Sequence, residues 1–126
     1  MKTVILVEDN PDNMDLVTDM LEDSFEIIPF SSALDLLAYL ENPDAHSPDV
    51  FVLDISLPQM DGITLMRKLR EFEQFRSSPM LALTAHAMVD DRRHLLDAGF
   101  DEYMSKPIVD EEELIDKIKT LIAMRP

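Results

Sequence analysis

Three apolar runs, each stopping at a polar residue, restrict what this chain can fold into more than any other feature. Thr3-Val4-Ile5-Leu6-Val7 runs into Glu8-Asp9, Val50-Phe51-Val52-Leu53 into Asp54, and Met80-Leu81-Ala82-Leu83 into Thr84. Short, wholly apolar runs bounded by turn residues read as strands buried on both faces, the condition of a parallel sheet covered by helices. Such a strand has no use for a terminal charge. In open α/β sheets ligands bind outside the carboxyl ends of the strands, so Asp54 at the end of a central strand points to a functional crevice. A turn or capping role is the ordinary alternative for a single Asp, and the rest of the chain decides between them.

Two further runs, residues 25–30 and 100–105, contain Pro29 or the acids Asp101 and Glu102 and read as edge strands. Between the strands lie helical patterns. Asp9 or Asn10 can cap a first helix with Pro11 in its first turn, and Met14, Val17, Met20 and Leu21 form its apolar stripe. Ser31 or Ser32 can cap a second, with Ala33, Leu37 and Leu40 on one face, and residues 42–48 are loop. Asp61-Gly62 opens a third with Leu65, Met66, Leu69 and Phe72 inward. A fourth, around residues 89–98, is weakly amphipathic, with Asp90, Asp91, Arg92 and Arg93 in succession, and ends at Gly99 as a left-handed C-terminal residue. Weak anchoring marks it as the helix most free to move. The fifth carries Leu114, Ile115, Ile118, Leu121 and Ile122 as its core stripe. Five βα units with apolar central strands and polar edge strands predict an α/β fold: a doubly wound, flavodoxin-like parallel sheet of five strands in the order 2-1-3-4-5, with five helices.

The length of 126 residues fits one domain, residues 1–126, with a core that needs neither metal nor disulfide support. There is no cysteine, hence no disulfide framework, no thiolate nucleophile and no cysteine-based zinc site. The first apolar run is too short for a signal-peptide core or a membrane span, and a cytoplasmic protein is expected. Asp and Glu number 26 against 11 Lys and Arg, and the resulting charge of -15 repels nucleic-acid phosphate and anionic lipid, so neither nucleic acid nor membrane is an expected partner. With two glycines in the chain there is no Gly-rich phosphate loop.

A parallel sheet gathers the carboxyl ends of its strands on one edge, which brings Glu8, Asp9, Asp54, Thr84 and Lys106 together from distant parts of the sequence. Close carboxylates repel by roughly 4 kcal/mol per pair at an effective dielectric near 20, so the cluster requires cations. Lys106 supplies one. Carboxylates without His or Cys suit a hard cation such as Mg²⁺, which takes one or two carboxylates, waters and a phosphate oxygen. Singly, each residue also reads as a cap, a strand-end hydroxyl or a solvated charge. Jointly, an acid pair after strand one, Asp after strand three, Thr after strand four and Lys-Pro after strand five point to a phosphoryl site.

At these residues, and over nearly its whole length, the chain resembles the receiver domain of two-component response regulators, of the chemotaxis-regulator-like kind. The resemblance rests on Val7-Glu8-Asp9-Asn10, on Leu53-Asp54-Ile55-Ser56-Leu57-Pro58-Gln59-Met60-Asp61-Gly62, on Leu83-Thr84-Ala85 and on Lys106-Pro107. It implies that Asp54 accepts a phosphoryl group from the phosphohistidine of a histidine kinase or histidine phosphotransferase. It further implies that Glu8, Asp9 and Asp54 hold Mg²⁺ with the Ser56 carbonyl, that Thr84 and Lys106 contact the phosphoryl oxygens, and that the bond before Pro107 is cis. Tyr103 falls where the family has a switch aromatic, the alternative being a packed edge-strand ring. His86 is expected to flank the site, and the nine methionines are core filler. The expected product is a signalling phosphoacceptor with intrinsic self-phosphorylation and self-dephosphorylation, not an enzyme. It is expected to be a single-domain response regulator without an output domain, a monomer or weak dimer that docks to a downstream protein effector.

Two other readings share the fold. A flavodoxin-like FMN carrier needs hydrogen-bond donors for phosphate after strand one, where this chain has Glu8-Asp9. A phosphatase of the haloacid dehalogenase type needs a second acid two residues after its nucleophile, where this chain has Ser56.

Overall fold

Strands β1 (Thr3–Val7), β2 (Glu26–Phe30), β3 (Val50–Asp54), β4 (Met80–Thr84) and β5 (Glu102–Ser105) form one parallel sheet in the order β2-β1-β3-β4-β5. Five helices alternate with them: α1 (Pro11–Leu21), α2 (Ala33–Leu40), α3 (Gly62–Glu71), α4 (Val89–Ala98) and α5 (Glu111–Ala123). The computed structural model describes residues 1–85 and 89–124. Among these no helix is long and apolar enough to cross a membrane.

The wholly apolar runs are the three central strands because each must satisfy two cores at once. Ile5, Val7, Phe51, Leu53, Met80 and Ala82 pack on one face against Leu36 of α2, Leu65, Met66 and Leu69 of α3 and Leu95 of α4. Their neighbours Val4, Leu6, Val50, Val52, Leu81 and Leu83 pack on the other against Val17 and Leu21 of α1 and Leu114, Ile118 and Leu121 of α5. Each fully buried aliphatic side chain contributes about 1.5–3 kcal/mol of transfer free energy. On α2 the buried residues are Ala33, as expected, and Leu36, whereas Leu37 and Leu40, expected on the same face, pack only at its margin.

Local chemistry sets the helix starts. Asn10 caps α1 by accepting from the Asn13 N–H at 3.0 Å, with Pro11 at the first position, and Ser32 caps α2 by accepting from the Asp35 N–H at 3.1 Å. Both edge strands begin later than the apolar pattern suggests. The Phe25 N–H donates to the Leu21 carbonyl, so Phe25 closes the end of α1 before β2 starts. At the end of α4 the Phe100 N–H donates to the Leu95 carbonyl and the Gly99 N–H to that of Leu96, with Gly99 at φ 131°. This paired C-terminal motif consumes Gly99 and Phe100 before β5 begins. Arg70 of α3 fixes the same corner, donating to the Gly99 carbonyl at 3.1 Å and pairing with Asp101 at 3.1 Å, while Asp101 accepts from the Met80 N–H at 2.9 Å. Helix α4 itself has Leu95 as its one fully buried side chain among those described.

The loop from β3 to α3 carries the tightest backbone constraint. Leu57 turns back into the core, and the Met60 N–H donates to the Pro58 carbonyl at 2.6 Å around Gln59 at φ 66°, a γ-turn that costs about 1–3 kcal/mol of strain. The chain then returns to the end of β3, where the Gly62 N–H donates to the Ile55 carbonyl at 3.0 Å. A Cβ on Gly62 would collide with the Asp54 carbonyl oxygen and lie 2.8 Å from the Ile55 Cα. Because both obstacles are backbone, neither can rotate away. Gly62→Ala is therefore expected to destabilise the fold by roughly 1–3 kcal/mol or more, read as a lower urea midpoint; an unchanged midpoint would contradict the close approach.

Candidate functional site

At the carboxyl edge of the sheet, β1 delivers Glu8, β3 ends in Asp54, β4 ends in Thr84 and the chain leaving β5 delivers Lys106. Glu8 and Asp54 are each 1% exposed, unusual for carboxylates. Their oxygens are accounted for individually. Lys106 Nζ lies 3.1 Å from Glu8 Oε2 and 3.1 Å from Asp54 Oδ2, so one ammonium bridges both groups. Asp54 Oδ1 accepts from the Ser56 N–H at 3.0 Å and Glu8 Oε1 from the Asn10 N–H at 3.3 Å. The Lys106 N–H donates to the Thr84 carbonyl at 2.8 Å, which ties the base of this lysine to the end of β4.

Charge is out of balance in this cluster. Glu8, Asp9 and Asp54 each place a carboxylate oxygen so that all lie within 4.8 Å of one another, against the single charge of Lys106. Burial raises the Glu8 carboxyl above its ordinary value, the nearby Asp54 charge raises it further, and Lys106 and the Asn10 N–H only partly offset them. Burial works to lower the Lys106 ammonium, but its bonds to Asp54 and Glu8 outweigh this and hold it above its ordinary value. Asp9, unlike Glu8 and Asp54, is exposed. An all-oxygen set of this kind, part buried and part open to water, fits a small hard dication that keeps several waters.

Thr84 is buried at the end of β4, next to Ser105 in register, and Ala82 is opposite Tyr103. By the alternation that puts Met80 and Ala82 on the side of α3 and α4, Thr84 shares that side with the half-buried ring of Tyr103, which packs against the same core. The Lys106–Pro107 peptide bond is cis. Ser56 lies in the turn after β3, with its N–H on Asp54. His86, expected to flank the site, falls outside the described residues.

A sequence model of the response regulator receiver domain matches residues 4–119. The chain belongs to the response regulator receiver family. Among receiver relatives, the polar-differentiation response regulator DivK of Brucella ovis is 38% identical over 108 residues, 85% of this chain and 85% of that protein. The receiver domain of a sensor histidine kinase from Pseudomonas aeruginosa, solved with a magnesium ion coordinated in its active-site cleft, is 30% identical and covers 97% of this chain and 98% of its own, with TM-score 0.84. A CheY-like receiver domain protein from Methanospirillum hungatei is 26% identical and covers 99% of this chain and 96% of its own, with TM-score 0.84. Receivers are signalling modules rather than conventional enzymes.

Two features of this receiver's site were not legible beforehand. The backbone N–H groups of Ser56 and Asn10 that hold Asp54 and Glu8 leave no trace in side-chain identity. The environment of Tyr103 was also hidden: Arg92 Cζ lies 5.3 Å and Lys117 Nζ 5.1 Å from its ring centroid, from helices on either side of β5. In sequence Arg92 is one of four successive charged residues, and Lys117 lies outside the apolar stripe of its helix.

The raised Glu8 carboxyl gives a pH prediction. A carboxyl raised in the folded state opposes folding once ionised, so stability is greatest below its unfolded value near 4.5 and declines as pH rises through the folded value. Glu8→Gln should therefore raise the melting temperature of the Mg²⁺-free protein at pH 7, by about 3–6 °C for each kcal/mol relieved, and the gain should shrink on acidification toward pH 4.5. Calorimetry of both proteins across pH 4.5–7 checks this; a Glu8→Gln protein that melts lower at pH 7 would contradict it.

Proposed function

We propose that this receiver accepts a phosphoryl group on Asp54 from the phosphohistidine of a histidine kinase or histidine phosphotransferase, and that the modified form is read by a downstream protein. The observation that carries the proposal is a carboxylate 1% exposed at the carboxyl end of the central strand, held by Lys106 on one oxygen and the Ser56 N–H on the other. Such a group is oriented without being consumed in a structural ion pair, because Lys106 has Glu8 as a second partner to fall back on.

In the transfer, an Asp54 oxygen attacks phosphorus, the P–N bond to the donor imidazole breaks, and its electron pair stays with the departing nitrogen. Glu8, Asp9 and Asp54, with the Ser56 carbonyl, are the groups to hold Mg²⁺, and the magnesium-bound relative makes the same ion reasonable here. When bound, Mg²⁺ supplies positive charge to the phosphoryl oxygens as they approach a cluster that would otherwise repel them. Lys106 follows the charge from the Asp54 carboxylate to a phosphoryl oxygen. Thr84, at the end of the adjacent strand, offers its hydroxyl to another, and its movement draws the segment leading into α4. The small Ala82 and Thr84 border Tyr103 on the same side of the sheet, so a shift of Thr84 opens room for the ring to turn inward. The surface of α4, β5 and α5 is then the readout. The same cluster is the one to support self-phosphorylation from small phosphodonors and self-dephosphorylation.

Asp54→Asn should reduce phosphate incorporation from a small phosphodonor to background while leaving the circular dichroism spectrum unchanged, since it keeps shape and removes the nucleophilic charge. Equal incorporation in both proteins would exclude Asp54. Thr84→Ala should still be phosphorylated, yet show a smaller change in amide exchange over residues 89–105 on adding beryllofluoride and Mg²⁺, because a ligand shifts a two-state balance only by its differential affinity. Equal changes would remove Thr84 from the coupling.

A further inference from the structure

Tyr103 is the one aromatic ring in the described structure with two cations against it, one from each helix flanking the edge strand. Lys117 is the more deeply engaged. Besides lying 5.1 Å from the ring centroid, its ammonium donates to the Tyr103 carbonyl at 3.1 Å and pairs with Glu102 at 3.4 Å, while Glu102 accepts from the Tyr103 N–H at 3.0 Å. Glu102 and Lys117 thus satisfy both backbone polar groups of Tyr103 from side chains and fix its Cα. The ring has only side-chain freedom left.

Arg92 acts from the other side and on a different footing. It belongs to α4, whose C-terminal end is tied down by the Gly99 motif and by Arg70, and whose single fully buried side chain among those described is Leu95. The part of the helix nearer Thr84 is the part that carries Arg92, with its guanidinium carbon 5.3 Å from the ring centroid. A guanidinium over the ring at this distance is attracted by the ring quadrupole.

We propose that Arg92 is a positioning residue for the switch: with Lys117 it clamps the Tyr103 ring in the arrangement in which Lys106 bridges Glu8 and Asp54, so that phosphorylation must break the Arg92 contact for the ring to turn. This rests on the phosphoacceptor reading and adds to it the group that sets the resting balance. The clamp links the two events at opposite ends of the mechanism, because moving α4 withdraws the guanidinium and turning the ring withdraws its partner. Either event alone sacrifices the contact, and both together sacrifice it once. Linkage then requires that removing the contact favour the ligand of the turned state.

The chain has two tyrosines and no tryptophan, so protein labelled with ¹³C-tyrosine gives two ring signals, and Tyr39→Phe identifies that of Tyr103. Beryllofluoride with Mg²⁺ is titrated into wild type, Arg92→Met and Arg92→Gln, which lack the charge, and Arg92→Lys, which keeps it. Both uncharged variants should bind beryllofluoride about two- to five-fold more tightly, the factor expected for one exposed cation–π contact. Their unliganded Tyr103 signal should already lie part of the way toward the bound position. Arg92→Lys should stay near wild type in both. A purely structural role would lower the melting temperature without moving the affinity. Wild-type binding with unchanged or weaker affinity in the uncharged variants would overturn the clamp and leave the phosphoacceptor reading standing, whereas a wild type that does not bind beryllofluoride would overturn both.

Discussion

One ammonium serving two buried carboxylates is the interaction on which the rest of this structure depends. Lys106 reaches Glu8 and Asp54 at 3.1 Å each, and without it the carboxyl edge of the sheet would hold unpaired buried charge. Yet one positive charge does not neutralise three carboxylates, and burial first, with the nearby Asp54 charge second, raises the Glu8 carboxyl. The site is stable enough to persist and unsatisfied enough to favour further positive charge, which is what the proposed phosphoacceptor role requires of it. A cluster that was fully neutralised within the protein would have no reason to favour it.

The fold serves this imbalance by spending its apolar residues on the three central strands. Buried on both faces, β1, β3 and β4 cannot shift without disturbing two cores, so the termini that carry Glu8, Asp54 and Thr84 stand on the most rigid part of the molecule. Gly62 adds to this by letting the loop after β3 close against the backbone of Asp54 itself. Core contact is thinner beside β5, where α4 buries Leu95 alone among its described side chains and where the Tyr103 ring, half-buried at the core's margin, has two cations against it.

Sequence alone determined the architecture and the identity of the site groups. The apolar runs Thr3–Val7, Val50-Phe51-Val52-Leu53 and Met80-Leu81-Ala82-Leu83 mark the central strands because runs this short, bounded by turn residues, suit strands covered on both faces rather than helices. The polar residue at the end of each run then has only the sheet edge to occupy. The caps were legible to within one residue, since capping acts over three residues of chain: the structure selects Asn10 over Asp9 and Ser32 over Ser31, and Asp61 caps α3.

Tertiary structure decided what depends on distance between separate elements. The edge strands were overextended in the sequence reading because Phe25 and Phe100 are apolar, but their backbone donors belong to the ends of α1 and α4. That Leu36 rather than Leu37 or Leu40 fills the centre of α2 depends on how that helix is rotated against the sheet, which a short apolar-rich stretch does not specify. That Lys106 bridges Glu8 and Asp54, and that Arg92 and Lys117 meet at Tyr103, depends on groups brought together from three chain segments in each case. Patterns of burial recur along a chain with the period of its own helices and strands and so can be read from it; the pairing of a charge with a partner many residues away has no period, and only the folded packing supplies it.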